Sequence, residues 1–390
     1  MTQQPVRLAL IGCGGMGLRH ALAALHMRRK GYSGLMLTAV CDENEAKAHE
    51  LAGLIERDGS ERPRVFTSTE QLFDSPGIDA VDIVLPTWLH HGIAVQALEA
   101  GKHVMVEKPL AISVEAGRLL CDAAIRSRRI VSVAENYRRI PSNRAFKALL
   151  ESGELGVAQT MLMHKAASFD ESYNVDGTVI TAPRWYTEPA KGGSYQIHEL
   201  GVHEIDLQRH WFGRIVSVTA DTSIEPGPGG VGEVEATTLA TLRFQSGMVS
   251  HIAFLKSKTT HERSRRLFMA SEGVVESRVW HAWQDGEIVL PDGRKLPLET
   301  MTRDYLARVD TEKDRRLAPG SFEPVVYSNP NEPLTYGVGS ALHDFVHAIR
   351  SGESPEIDPF DGLRTLRVCD AILRSARERR TVEISDEMSA

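Results

Sequence analysis

The sequence predicts an α/β protein with a doubly wound parallel sheet over residues 1–135 and a second α/β domain, 136–390, whose sheet is mostly antiparallel. Three observations carry this. Short apolar runs alternate with helically spaced segments in the first third of the chain, the pattern of a parallel sheet covered by helices on both faces. Beyond about residue 135 the runs lengthen, and several alternate apolar with polar residues, as in Thr238-Leu239-Ala240-Thr241-Leu242-Arg243-Phe244. That alternation suits an antiparallel sheet buried on one face. With 390 residues, 42% hydrophobic and 25% charged, the chain has the composition of a globular protein of two or three domains.

In order, the first-domain strands are expected at Val6–Ile11, Leu35–Cys41, Val81–Leu85, His103–Val106 and Ile130–Val133. Their continuous apolar character fits burial on both faces. Helical spacing falls at Leu18–Lys30, Glu43–Arg57, Ile93–Ala100 and Ser113–Arg126. Polar groups follow several strands directly, where open α/β sheets bind ligands. The second domain offers strands at Thr160–Lys165, Val216–Thr222, Thr237–Phe244, Val249–Leu255 and Leu267–Ala270. Residues 281–335 are polar and turn-rich, with Pro291-Asp292-Gly293, and suggest a hairpin plus a long excursion. Helical periodicity returns at Leu342–Arg350 and Gly362–Glu378.

A formal net charge of -7 argues against general binding to nucleic acid or an anionic membrane surface. No apolar run approaches the roughly 20 residues of a membrane helix. The segment MTQQPVRLALIG lacks the pattern of a secretory signal, so a cytoplasmic location is expected. Cys13, Cys41, Cys121 and Cys369 form no C-x-x-C pair, which signals neither a zinc knuckle nor a disulfide framework. They are expected as buried small hydrophobes.

Gly12-Cys13-Gly14-Gly15-Met16-Gly17 fits G-x-G-x-x-G between an apolar strand and a helical segment. The first glycine permits a tight turn, the second lets the backbone approach a pyrophosphate, and the third lets helix and strand pack closely. The helix N-terminus then offers N–H groups to the phosphates. Asp42 ends the second strand about 25 residues after Gly17, near the roughly 20 expected for a ribose-binding acid. Its charge would repel a 2′-phosphate, and Glu43-Asn44-Glu45 supplies no arginine to neutralise one. These features favour NAD over NADP. The alternative for Asp42 is a cap on the next helix.

The stretch from Ala97 to Ala111, with Glu107-Lys108-Pro109 at its strand end, is highly specific. Together with the glycine loop, Pro86-Thr87-Trp88-Leu89-His90, Glu135-Asn136-Tyr137-Arg138 and Glu199-Leu200-Gly201-Val202-His203, it resembles the Gfo/Idh/MocA oxidoreductases over nearly the whole chain. The resemblance implies an N-terminal Rossmann domain and a C-terminal α/β domain whose large, mostly antiparallel sheet carries oligomer contacts. A homodimer or homotetramer is therefore expected. By the same resemblance Lys108 hydrogen-bonds the reacting hydroxyl, and its charge stabilises a developing alkoxide. Glu107 holds the nicotinamide ribose or the lysine, and the Lys108–Pro109 bond is a candidate cis peptide. Pro86, Trp88 and His90 lie where relatives contact the cofactor, although Trp88 is equally well explained by packing. Asn136, Tyr137 and Arg138 border the substrate cleft.

The second chemical centre runs from Gly192 to Asp206. Glu199 and His203 are four apart and Asp206 three further on, so on a regular helix they share one face. A nearby carboxylate orients an imidazole and raises its basicity, and histidine as a side-chain type titrates near neutrality. His203 is thus the candidate acid–base and Glu199 its tuning partner. The family usually has aspartate where this chain has Glu199; glutamate keeps the charge but reaches one methylene further. His198 and His203 are five apart, which defeats H-E-x-x-H metal geometry, so no metal is expected. His198 is left as a packing group or a substrate contact. Trp185, with Arg184 and Tyr186, precedes this segment and offers an aromatic face to a sugar ring or to the core.

The expected activity is reversible hydride transfer between NAD and a carbon bearing a secondary hydroxyl on a sugar, glycoside or inositol. Two alternatives share the architecture: glycoside cleavage through transient oxidation, and a non-catalytic dinucleotide-binding regulator.

Overall fold

The computed structural model describes residues 4–168, 172–175, 178–181, 185, 188–226, 233–257, 263–309 and 332–385. The chain forms two compact units. One takes in residues 1–139, 173–180 and 310–363; the other takes in residues 140–172, 181–309 and 364–390.

The first unit alternates strand and helix: β1 (Val6–Ile11), α1 (Gly15–Arg29), β2 (Leu35–Cys41), α2 (Glu45–Arg57), β3 (Arg64–Phe66), α3 (Thr69–Asp74), β4 (Ala80–Ile83), α4 (His90–Glu99), β5 (His103–Val106), α5 (Val114–Ser127) and β6 (Val131–Val133). The six strands pair in the order β3-β2-β1-β4-β5-β6, parallel throughout. The order reverses direction between β1 and β4, the switch point beside which such sheets bind dinucleotides. All of β4 is buried, as a strand covered on both faces must be. Helix starts follow local chemistry. Asn44, Ser68 and Ser113 cap α2, α3 and α5 by accepting the N–H of Lys47, Gln71 and Ala116.

One sheet face packs on α4 and α5 through Val81, Ile83, Ala94, Leu98, Leu120 and Cys121. The other is closed partly by α1 and partly by a helix from far along the chain, Glu332–Ser351, whose Val338, Leu342, Phe345 and Val346 meet Leu8, Met27 and Met105.

A 3-10 turn at Tyr137–Arg139 leads to α6 (Pro141–Ser152), which starts on proline and ends at left-handed Gly153 (φ 75°). Then come β7 (Ala158–Ser168), β8 (Ser172–Val175) and β9 (Thr178–Thr181), the last two forming a ladder of their own. They are followed by α7 (Pro189–Gly192), a π-turn at Ile197–Gly201, α8 (Val202–Phe212), β10 (Ile215–Pro226), β11 (Glu233–Phe244), β12 (Val249–Ser257), β13 (Arg263–Ala270), β14 (Val274–Ser277), β15 (Gly286–Val289), β16 (Lys295–Pro297), α9 (Leu298–Arg308), α10 (Glu332–Ser351), α11 (Pro359–Glu378) and β17 (Val382–Glu383). Nine strands pair in the order β16-β15-β14-β13-β7-β12-β11-β10-β17. Only β7 and β12 run parallel, so the sheet is mostly antiparallel as expected.

Alternation sorts its two faces. Met161, Met163, Leu242, Ile252 and Phe268 are buried, whereas Leu162 and Leu239 are 47% and 41% exposed. On the buried side the Phe146 ring lies tilted 4.2 Å from that of Trp283 and meets Trp211 and Phe268 edge-on. Arg266 lies fully buried among them, its guanidinium 5.2 Å and 5.7 Å from the Trp211 and Trp283 rings and paired with the Glu204 carboxylate.

The polar stretch 281–335 differs from expectation. The hairpin at Pro291-Asp292-Gly293 forms between β15 and β16. The excursion after it opens with α9, a regular helix. Among its residues only Leu298, Met301 and Thr302 are buried, too thin an apolar stripe to stand out in the sequence. Residues 310–331 of that stretch lie outside the described residues.

Candidate active site

Within the first unit, the glycine loop joins β1 to α1. Gly12 has φ +102°, and a Cβ there would lie 2.1 Å from the Val84 carbonyl oxygen; a Cβ on Gly17 would lie 2.0 Å from that of Gly12. Both positions therefore require glycine. A Cβ on Gly14 would meet nothing within 4 Å. Gly14 is the N-cap of α1 and has no side-chain cap, Gly15 and Met16 are half-buried, and the first turn carries no acidic residue. The loop thus presents helix N–H groups to open space, the arrangement that receives a pyrophosphate. The Asp42 carboxylate accepts the Cys13 N–H at 2.7 Å and the Asn44 N–H at 2.9 Å. Asn44, not Asp42, caps α2. Asp42 is left against the glycine loop, with two further acceptor positions on its oxygens.

Two more strand ends carry predicted residues. After β4, Pro86 and Trp88 are half-buried around a 3-10 turn at Thr87–Leu89. His90 is buried, its Nδ1 2.8 Å from the Pro109 carbonyl oxygen and its Nε2 2.7 Å from that of Leu85. Burial pushes its pKa down. It braces the turn after β5, where the Lys108–Pro109 bond is cis. Glu107 is buried, and its Oε2 accepts the backbone N–H of the half-buried Lys108 at 2.9 Å.

After β6, Glu135 Oε1 accepts the Tyr137 N–H at 2.9 Å. Burial pushes the Glu135 carboxyl up to about 7, against the Tyr137 hydrogen bond and the pull of the Lys108 cation. Asn136 and Tyr137 are buried, and Arg138 pairs with Asp361 at 2.7 Å. The first unit therefore brings the glycine loop, Asp42, Glu107, Lys108 and residues 135–138 to the carboxyl ends of its parallel strands.

In the second unit, Glu199 and His203 are buried but do not lie on one regular helix. Residues Ile197–Gly201 form a π-turn in which the Gly201 N–H reaches the Gln196 carbonyl, five residues back. The regular helix expected from spacing therefore begins only at Val202, after the wider turn that carries Glu199. Such π-turns concentrate at functional sites. Asp206 accepts from the Thr365 hydroxyl, which in turn accepts from Arg209. His198 accepts the Ser194 N–H at 2.9 Å through Nδ1. Burial lowers its pKa to about 4, so the ring is neutral near pH 7. Trp185 is half-buried; Arg184 and Tyr186 lie outside the described residues.

Comparison with known proteins decides what this scaffold is. Residues 6–135 match the model of the oxidoreductase family with an NAD-binding Rossmann fold, and residues 143–276 match the GFO/IDH/MocA C-terminal domain. The chain is a GFO/IDH/MocA oxidoreductase. This oxidoreductase is 27% identical to levoglucosan dehydrogenase of Pseudarthrobacter phenanthrenivorans, over 98% of each chain. It is 26% identical to D-apiose dehydrogenase of Paraburkholderia graminis, over 96% of this chain and 89% of that one. A solved structure of levoglucosan dehydrogenase with NADH and levoglucosan shares the fold at a TM-score of 0.78, with 24% identity, 98% of this chain and 100% of that one covered.

The open space at Gly14, the uncapped start of α1 and the free acceptor positions of Asp42 fit an NAD-binding oxidoreductase. Two polar residues of its first unit escaped sequence reasoning, His20 of α1 and Asp82 of β4. Both are buried and joined at 2.8 Å. Their signal was present: a carboxylate inside the apolar run Val81-Asp82-Ile83-Val84 requires a buried partner.

Proposed function

We propose that this oxidoreductase oxidises a secondary hydroxyl of a sugar, glycoside or inositol. NAD, when bound, supplies the ring that accepts the hydride. Gly12, Gly14, Gly15, Met16 and Gly17 hold its pyrophosphate, and Asp42 its adenosine ribose. Pro86, Trp88 and Glu107 line its nicotinamide half, while His90 acts from beneath by holding the Pro109 carbonyl.

Lys108 donates a hydrogen bond to the substrate hydroxyl, and its charge favours the alkoxide. His203, as neutral imidazole, takes the hydroxyl proton and returns it in the reverse direction. Glu199 orients that ring, and Asn136, Tyr137, Arg138 and Trp185 bind the rest of the substrate.

One observation carries the reading. The Glu107-Lys108-Pro109 turn is a built one, with a half-buried ammonium side chain leaving a backbone held by a buried carboxylate. The relatives named levoglucosan and D-apiose dehydrogenases support a carbohydrate as its object. The exposed row of Leu162 and Leu239 on the nine-stranded sheet supports a homodimer or homotetramer assembled through that face.

The test is incubation with NAD and a panel of sugars, anhydrosugars, glycosides and inositols. Net nicotinamide reduction is expected with at least one. His203→Ala should lose about 10²–10⁴ in rate while keeping NAD affinity. Bond cleavage without reduction, or binding without turnover, would replace the dehydrogenase reading.

A further inference from the structure

Among the buried ionisable groups that the roles above leave unused is His20. His20 lies on the second turn of α1, 1% exposed. Its Nδ1 is 2.8 Å from Asp82 Oδ2 and its Nε2 3.0 Å from Glu107 Oε1. The second oxygen of Glu107 accepts the backbone N–H of Lys108. Asp82 in β4, His20 in α1, Glu107 after β5 and the Lys108 amide thus form one unbroken chain of hydrogen bonds, all within the first unit.

Two carboxylates on opposite ring nitrogens favour the imidazolium, although burial also pushes the Asp82 carboxyl up. A neutral imidazole has one N–H and would turn a lone pair toward an anionic oxygen. Burial alone would discharge the ring, but Asp82 and Glu107 outweigh it and push the pKa up to about 10. The other charged groups around the cluster are Lys108, whose cation acts on both Glu135 and His90, Glu135 itself, and Arg138. His90 lies beyond Pro109, with each nitrogen at a backbone carbonyl.

A buried ion cluster adds little to stability compared with apolar side chains of the same volume. What it can supply is a fixed direction. Each oxygen of Glu107 is committed to a different partner, so the carboxylate cannot rotate without losing one of them.

We propose that His20 is a positioning residue for Lys108: its imidazolium locks the Glu107 carboxylate, which locks the backbone from which the lysine side chain departs. The proposal rests on the reading of Lys108 as the group that touches the substrate hydroxyl.

The experiment uses the full chain labelled with ¹⁵N-lysine, compared with His20→Gln, Glu107→Gln and the double variant. In His20→Gln the Lys108 amide should exchange about tenfold faster, as expected for a weakened hydrogen bond. With the substrate found in the panel, kcat should fall up to about 10²-fold, the cost of a small misplacement, while the Kd for NAD changes less than about twofold. Freed from its cation, buried Glu107 takes up a proton in the accessible range. Log kcat of His20→Gln should therefore gain a second acidic limb, rising with pH, beyond the one that a His203 base gives wild type and the double variant alike.

An unchanged Lys108 amide, or a fall in kcat without the new limb, would overturn the proposal. If His20→Gln does not fold, Asp82→Asn keeps the ring and removes one anchor. It should still speed Lys108 exchange, and an unchanged rate there overturns the proposal equally. Amide exchange needs no substrate, whereas full activity in Lys108→Ala would remove the reading of Lys108 alone, so the two failures are distinguishable.

Discussion

Asp42→Ala removes one carboxylate whose two oxygens each accept a single backbone N–H, at 2.7 Å and 2.9 Å. Each retains room for one more donor, which the ribose hydroxyls would fill. A hydrogen bond to a charged group contributes about 1.5–3 kcal/mol. Because Asp42 is only half-buried, we count one such bond, so the Kd for NAD should rise about 10–150-fold. NADP should bind more tightly, since its 2′-phosphate no longer faces an anion. Titration of both dinucleotides by protein fluorescence reads the ratio directly. Asn44→Ala is the control: it removes the α2 cap, costs about 1 kcal/mol of stability, and should leave the ratio unchanged. An Asp42→Ala protein that keeps the wild-type preference for NAD would refute the ribose role.

Three further predictions concern the second unit. Arg266→Met strands the buried Glu204 carboxylate and should cost about 3–5 kcal/mol, read as a lower urea midpoint; Arg266→Met with Glu204→Gln should recover most of it, and no recovery would refute the charge pairing. His198 is depressed to about 4 in the folded protein, so the unfolded chain takes up a proton that the folded one refuses. Its contribution is present above about pH 6.5 and lost as pH falls toward 4, on the order of 3 kcal/mol. His198→Asn keeps an acceptor for Ser194 and should flatten that part of the stability–pH curve; the same slope in both proteins would exclude His198 as its source. Leu162→Asp on the exposed sheet face should shift sedimentation toward the monomer, and an unaltered profile would move the interface elsewhere.

The first unit was largely legible because its signals are local. Glycine, aspartate and the Glu-Lys-Pro turn follow apolar strands directly, and their positions need no long-range information. The second unit was legible as alternating strands, but its order was not. Nothing in the runs at 160–165 and 249–255 says that β7 and β12 pair in parallel amid antiparallel neighbours. The π-turn at 197–201 escaped because one extra residue in a turn leaves no mark on composition. His20 escaped for another reason: a histidine on a helix face acquires meaning only when the fold brings Asp82 and Glu107 to it.

Closure of the nucleotide sheet by α10 also bears on how the chain is made. Leu8, Met27 and Met105 are sealed by Leu342, Phe345 and Val346, and about 190 residues separate Arg139 from the start of that helix. At typical synthesis rates this is a wait of roughly 10–40 s. During it the nascent sheet shows an oily flank to the cell, where chaperones can hold it and neighbouring chains can stick to it. A fragment cut at residue 139 would keep that flank bare permanently.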